Sequence, residues 1–244
     1  MSIIQITDTH ILSDPAGTFD GVDTAQTLST VLTHIRANER PDLVLLTGDL
    51  VHEPDQASYI RLHNLLNPVP APIYAIPGNH DKPVLMRTAL GEPVRHERDI
   101  AINNWRILLL NSWLEDEHAG VLPATELQWF EARLNEQPDT PTLVALHHPP
   151  VSIGSPWMDA MGLHNPEEFF TILDRQPQVA GVIWGHIHQV FESERNGVKL
   201  LSCPSTCVQF RPGSHEYAKD ELGPGYRRLI LQENGTIDSD VIRI

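Results

Sequence analysis

Short apolar runs alternate with longer amphipathic stretches through the first half of the chain. Ile3 to Ile6 reads as a buried strand. Over residues 25–35, Leu28, Val31, Leu32 and Ile35 fall on one helical face. Leu43 to Leu46 predicts a second strand, set off by the breaker Pro41-Asp42. Residues 55–67 predict a second helix, with Tyr59, Leu62, Leu65 and Leu66 aligned, and Ile73 to Ile76 predicts a third strand, ended by Pro77-Gly78. This β-α-β-α-β order implies parallel strands joined by right-handed crossovers.

The pattern then becomes less regular. Asn104-Trp105 is expected to turn between strands near 98–102 and 106–111. Residues 124–136 read as a helix and Leu143 to Leu146 as another buried strand. Asn165-Pro166 predicts a helix start, with Asn165 as N-cap and Pro166 at the first helical position, and that helix runs to about Asp174. Val179 to Trp184 is again a strand, and Asn196-Gly197 and Asn234-Gly235 are hairpin turns in a β-rich final part. No linker, repeat or low-complexity segment interrupts the 244 residues, so one domain over 1–244 is expected, with two sheets facing each other and helices outside.

Charge adds a constraint. Asp and Glu outnumber Lys and Arg by 32 to 17, a formal charge of −15. Taken alone this serves solubility, but it also repels nucleic-acid backbones and anionic membranes, so neither is an expected partner. It would repel a phosphorylated substrate too, unless bound cations reverse the local field. The two cysteines, Cys203 and Cys207, cannot build a Cys₄ zinc site, and their pairing as a disulfide is disfavoured if the chain resides in a reducing cytoplasm. A cytoplasmic location is expected, because the start of the chain has no charged leader region and no run approaches the roughly 18 apolar residues of a membrane span.

Polar motifs follow the strands. Asp8-x-His10 follows the first, Gly48-Asp49 the second and Gly78-Asn79-His80-Asp81 the third. His147-His148-Pro149 follows the strand near 143–146, and Gly185-His186-x-His188 follows the strand at 179–184. Ligands of open α/β sheets bind at this carboxyl edge, so motifs spread along the chain converge in space. Asp, Asn and His together suit borderline metals such as Fe, Mn, Co or Zn. The candidates Asp8, His10, Asp49, Asn79, His147, His186 and His188 exceed the needs of one ion and suit two ions sharing a carboxylate. A lone Gly-Asp is ordinarily a turn and a lone Asp-x-His a capping feature; the ordered set is neither.

In these motifs the chain resembles the calcineurin-like metallophosphoesterases, over residues 3 to about 190. The resemblance implies an α/β fold, a four-layer αββα sandwich of two mixed sheets flanked by helices, holding two metals about 3.5–4 Å apart. It assigns Asp8, His10 and His188 to one ion, Asn79, His147 and His186 to the other, and Asp49 as the bridge. The family's His-x-Pro pattern favours His147 as the ligand and leaves His148 beside it. His80 is implied to face the substrate and to assist the phosphate or the leaving oxygen, with a pKa suited to that role. Asp81 either orients His80 or caps a helix over 82–90, and the sequence leaves both open. His10, Asp49, Asn79, His80 and His188 are the expected substrate contacts.

Within that family the chain is similar to the bacterial 3′,5′-cyclic AMP phosphodiesterases of the CpdA type. Gln5 to His10, Gly185 to Gln189, Pro204 to Phe210 and Pro224 to Arg227 carry the similarity. It implies hydrolysis of 3′,5′-cyclic AMP to 5′-AMP by water activated at the two ions, Fe and/or Mn, with Zn or Co also suited to the ligands. Other diesterases of the superfamily, acting on glycerophosphodiesters or 2′,3′-cyclic nucleotides, share the ligand set, as does a non-catalytic metal-binding scaffold. Thr206, Gln209 and Phe210 are offered as purine contacts, against a purely structural turn with Cys207 and Phe210 in the core, and 157–165 is expected to overlie the site. Monomer and homodimer are both open.

Overall fold

The computed structural model describes residues 1–244. In chain order its elements are β1 (Ser2–Ile6), α1 (Thr24–Asn38), β2 (Leu43–Thr47), α2 (Gln56–Leu66), β3 (Ile73–Ile76), α3 (Pro83–Ala89), β4 (Val94–Arg95), β5 (Asp99–Ile102) and β6 (Trp105–Leu109). There follow α4 (Ala124–Glu136), β7 (Thr142–Ala145), α5 (Pro156–Asp159), α6 (Pro166–Leu173), β8 (Val179–Trp184), β9 (Glu192–Arg195), β10 (Val198–Ser202), β11 (Gly225–Leu231) and β12 (Ile237–Arg243). One sheet runs β12-β11-β1-β2-β3-β4 and the other β5-β6-β7-β8-β10-β9. Both are mixed: β1 to β4 are parallel and β11 joins β1 antiparallel, while β6, β7, β8 and β10 are parallel and β5 and β9 are antiparallel edges.

Burial on both faces explains why the central strands read as unbroken apolar runs. Period-two alternation then sorts their side chains into layers. Ile4, Ile6, Val44 and Leu46 turn outward onto Leu28, Val31 and Leu32 of α1 and Tyr59 and Leu62 of α2. Ile3, Leu43 and Leu45 turn inward and meet Ile107, Leu109, Leu143, Ala145 and Ile183 from the other sheet. Beyond that sheet, Val144, Val182 and Trp184 pack on Phe130 of α4 and Phe169 of α6. Three apolar layers thus separate four layers of structure, the expected αββα sandwich.

Two local expectations need correction. The turn between β5 and β6 lies at Asn103-Asn104, not Asn104-Trp105. Asn103 takes the left-handed φ of 52°, and Trp105 enters β6 because its buried indole donates to the Gln232 carbonyl at 2.9 Å. Asn165 stands at the N-cap position of α6 without capping it. Its amide instead accepts from Leu122 N at 3.0 Å and donates to Leu122 O at 2.8 Å, tying the loop before α4 to the start of α6.

Candidate metal centre

Strand register brings the motifs together. Ile6 pairs with Leu46, Thr47 with Ile76, and Ala145 with Ile183, so the carboxyl ends of each sheet finish level. Pairing continues past β1, where Asp8 N donates to Gly48 O and His10 N to Asp49 O, each at 3.0 Å. Between the sheets, buried Gln5 Nε2 donates to Thr47 Oγ1 at 3.0 Å and to the Trp184 carbonyl at 2.9 Å. This polar tie fixes the two sheet edges against each other directly beneath the cluster.

Five site residues adopt left-handed backbone: Asp8, His10, Asp49, His186 and His188, with φ of 52°, 43°, 50°, 68° and 48°. Such geometry costs a non-glycine residue about 1–3 kcal/mol and persists only where the surroundings over-determine it. All five are buried, and all turn their side chains toward one region. Donor atoms of Asp8, His10, Asp49 and His188 lie within 4.8 Å of one another. His10 Nε2 is 3.1 Å from His188 Nε2 and 3.6 Å from Asp49 Oδ2, and His188 Nε2 is 3.5 Å from Asp8 Oδ1. On the other side of Asp49, its Oδ1 is 3.4 Å from His147 Nε2. Asn79 Oδ1 is 3.2 Å from His147 Nε2 and 3.0 Å from His186 Nδ1. Asp49 therefore directs one oxygen at each half of the cluster.

The imidazoles are held from behind. His188 Nδ1 is 2.8 Å from the Val208 carbonyl and His147 Nδ1 is 2.8 Å from the Thr47 carbonyl. A carbonyl only accepts, so each Nδ1 carries the proton and each Nε2 aims a lone pair into the cluster. Burial, ahead of any charged neighbour, lowers the pKa of His10 and His186 well below the ordinary range and keeps them neutral. Burial also disfavours charge on Asp49 and on His147, but their mutual attraction outweighs it: Asp49 is held well below the usual carboxylate range and His147 is raised. The neutral imidazoles of His10 and His186 and the ionised Asp49 form donors fitted to cations, and a cation at His147 Nε2 would take the place of the proton that Asp49 otherwise favours there.

The chain matches the calcineurin-like phosphoesterases over residues 1–190. It belongs to that family. This phosphoesterase is 37% identical over 99% of its length to the 3′,5′-cyclic adenosine monophosphate phosphodiesterase CpdA of Pseudomonas aeruginosa, covering 89% of that relative. It is 39% identical over its full length to a 3′,5′-cyclic-nucleotide phosphodiesterase of Nostoc, covering 92% of it. Among solved structures it resembles a dimetal phosphatase from Danio rerio with a TM-score of 0.69 at 16% identity, over 99% of this chain and 98% of that one, a likeness of fold.

Around its cluster the phosphoesterase opens a cleft of about 580 Å³, counting the space that is open to solvent. His10, Asp49, Asn79, His80 and His188, the expected substrate contacts, all line it. His80 is half-buried, and its Nδ1 lies 2.8 Å from the His52 carbonyl. Asp81 does not touch it, which corrects the expectation that this carboxylate orients His80. Nor does it cap α3, whose N-cap position is Lys82. The Asp81 carboxylate turns back beneath the loop, accepting from Leu50 N at 3.1 Å, Gly78 N at 2.9 Å and Tyr59 Oη at 2.9 Å. His148 stands edge-on to His147, with Nδ1 2.8 Å from Ser112 Oγ, and its ring nitrogen also comes near those of His147 and His186.

The 204–210 segment is mostly structural. Thr206 and Gln209 are buried, and the Gln209 amide is engaged by the Ser205 carbonyl at 2.8 Å and Arg243 at 2.6 Å, so neither side chain reads a purine. Ser205 Oγ donates to the Asp8 carbonyl at 2.7 Å, the Val208 carbonyl holds His188, and the Phe210 ring lies flat on the His188 imidazole at 4.1 Å and 5°. Cys203 and Cys207 are free and buried, which pushes both thiols up to about 12. As expected, 157–165 overlies the site in part, through Trp157, Met158 and Met161, with α5 as a single helical turn. Phe19, His52, His118 and Tyr217 were not foreseen. They come from irregular loops with no motif; the only signal was an isolated aromatic or histidine in each.

Proposed function

We propose that this phosphoesterase hydrolyses 3′,5′-cyclic AMP to 5′-AMP at a two-metal centre. Asp8, His10 and His188 hold one ion, Asn79, His147 and His186 the other, and Asp49 bridges them. The observation that carries this reading is the split carboxylate of Asp49, with Oδ2 toward His10 and Oδ1 toward His147. The substrate rests on the full-length similarity to diesterases whose names specify cyclic nucleotides. Nitrogen and oxygen donors without thiolate suit Fe and Mn, and also Zn or Co. The whole chain, 1–244, acts in this reading as one unit, since β11 pairs with β1 and residues near 205 brace Asp8. No helix is long and apolar enough to cross a membrane, and with two unpaired thiols a cytoplasmic setting fits the reading.

The ions, when bound, supply positive charge for the phosphate and acidify water for attack. The chain's own residues do the rest. The five strained positions fix the donors before substrate arrives. His80 Nδ1 donates a hydrogen bond to the His52 carbonyl, which leaves Nε2 as the nitrogen that exchanges a proton with the phosphate or the departing 3′ oxygen. His80→Ala should lower turnover by about 10²- to 10⁴-fold with metal content retained. Unchanged turnover, measured beside metal analysis, would remove His80 from the mechanism. The substrate is tested by rates on cyclic AMP, 2′,3′-cyclic AMP, glycerophosphodiesters and bis-p-nitrophenyl phosphate after metal reconstitution; cyclic AMP as the poorest of these sinks the substrate assignment.

A further inference from the structure

The cleft has two unlike halves. One is made of the histidines, Asp49 and Asn79; the other of Phe19, Trp157, Met158, Met161, Phe210 and Tyr217. They meet most closely where the Phe210 ring covers the His188 imidazole. From there the apolar half is braced ring against ring. Trp157 packs on Phe210 at 5.2 Å and 66°, Tyr217 packs on Phe210 at 5.4 Å and 74°, and Trp157 and Tyr217 meet at 5.5 Å and 79°. Phe19 extends the wall past His10, its ring 5.0 Å from that imidazole.

We propose that this wall is a base-binding subsite, in which the purine of a cyclic nucleotide lies against Trp157, Tyr217 and Phe19 while its phosphate meets the histidines. The proposal rests on the phosphodiesterase reading of the metal centre and names the part of the substrate that the metals do not touch. Phe210, only 8% exposed and already stacked on His188, is the backing of the wall and a positioning residue for that ring. Trp157 is half-buried and Tyr217 is 49% exposed, so these rings keep surface for a ligand.

The polar tips of the wall are already engaged. Trp157 Nε1 donates to Ser214 Oγ at 3.0 Å, and the Tyr217 hydroxyl donates to the Asp20 carboxylate. What remains on offer is aromatic and thioether surface, which suits a flat heterocycle bound by its face. A glycerol group would gain nothing from it. A quaternary ammonium headgroup is attracted to aromatic rings as well, but Asp49 is the only carboxylate lining the cleft and it faces the donor cluster.

The test compares cyclic AMP with the same 3′,5′-cyclic phosphate built on 1-O-methylribose, which has no base. The metal-loaded protein should prefer cyclic AMP in kcat/KM by at least about 10-fold, the worth of one base–aromatic stack. Trp157→Leu and Tyr217→Leu should each erode that preference about five- to tenfold, through KM. Tyr217 is exposed, so its variant decides the matter even where Trp157→Leu folds poorly. Calorimetry gives a second readout: 5′-AMP should bind at least about 10-fold more tightly than inorganic phosphate, and the variants should lose that margin. Equal rates with and without the base, or a preference for glycerophosphocholine that the same variants abolish, overturns the subsite. If bis-p-nitrophenyl phosphate is hydrolysed with metal but cyclic AMP has no advantage over the base-free analogue, the subsite fails and the metal centre stands. If no diester is hydrolysed at all, the proposed function fails, and 5′-AMP binding against phosphate still decides the subsite.

Discussion

Gly185 shows how little room the cluster leaves at the level of single residues. A Cβ there would sit 2.0 Å from Thr7 Oγ1 and 2.9 Å from Asp8 Oδ2. The same carboxylate accepts from His186 N, at 3.1 Å to Oδ1 and 3.0 Å to Oδ2, so a methyl group would push Asp8 and His186 apart. Gly185→Ala is therefore expected to lower metal affinity and activity by about 10- to 100-fold, the usual effect of disturbing the support of a ligand. Metal analysis and turnover equal to the parent would contradict this. At the same scale the sequence misleads about Asp81. It follows His80 in the chain, and adjacency suggested a partnership. Adjacent residues of an irregular loop need not face the same way, and Asp81 serves the loop backbone while a main-chain carbonyl, that of His52, holds the imidazole. A backbone partner has no residue signature, so no sequence pattern can display it.

Elements were the most legible level. Central strands buried on both faces give unbroken apolar runs, and β2 and β8 were readable to within a residue for that reason. Turns and caps were less so, because Asn103 and Asn165 are decided by distant partners, the site of Trp105 burial and the Leu122 backbone. Asp55 is a cap of the ordinary kind: its carboxylate accepts from Ser58 N at 2.7 Å at the start of α2. That hydrogen bond lowers its pKa in the folded protein. A carboxyl with a depressed folded pKa contributes stability above its unfolded pKa, and loses it as pH falls through the folded one. Asp55→Ala should accordingly cost about 1 kcal/mol near neutral pH. In urea titrations the gap between parent and variant should close as pH drops below the carboxylate range. A gap that is constant with pH would show that the cap acts without its charge.

For the whole molecule, metal binding and folding should be linked. Asp8 and Asp49 place two buried carboxylates within 4.8 Å of one another, a repulsion that bound cations would offset. An ion at a hundredfold excess over its Kd contributes about 2.7 kcal/mol, worth about 5–10 °C in a chain of this size. Chelation should lower the thermal midpoint by about that amount per ion, and restored metal should recover it; a midpoint indifferent to chelator would count against the centre. This level was also where the sequence was least informative. The donors were legible because they sit on strand ends in a fixed order. The apolar half of the cleft was legible only in part: residues 157–165 and Phe210 were expected there, whereas Phe19 and Tyr217 come from loops that reach it only through the fold.

The bracing of Asp8 and His188 by residues 205–210 bears on how the protein is made. A ribosome that has delivered the first 190 residues has delivered every donor, yet Ser205, Val208 and Phe210, which steady two of them, are still unwritten, as is β11, the neighbour of β1. The nascent chain at that stage carries the donors without their support, and ordering of the centre waits on the final quarter of synthesis.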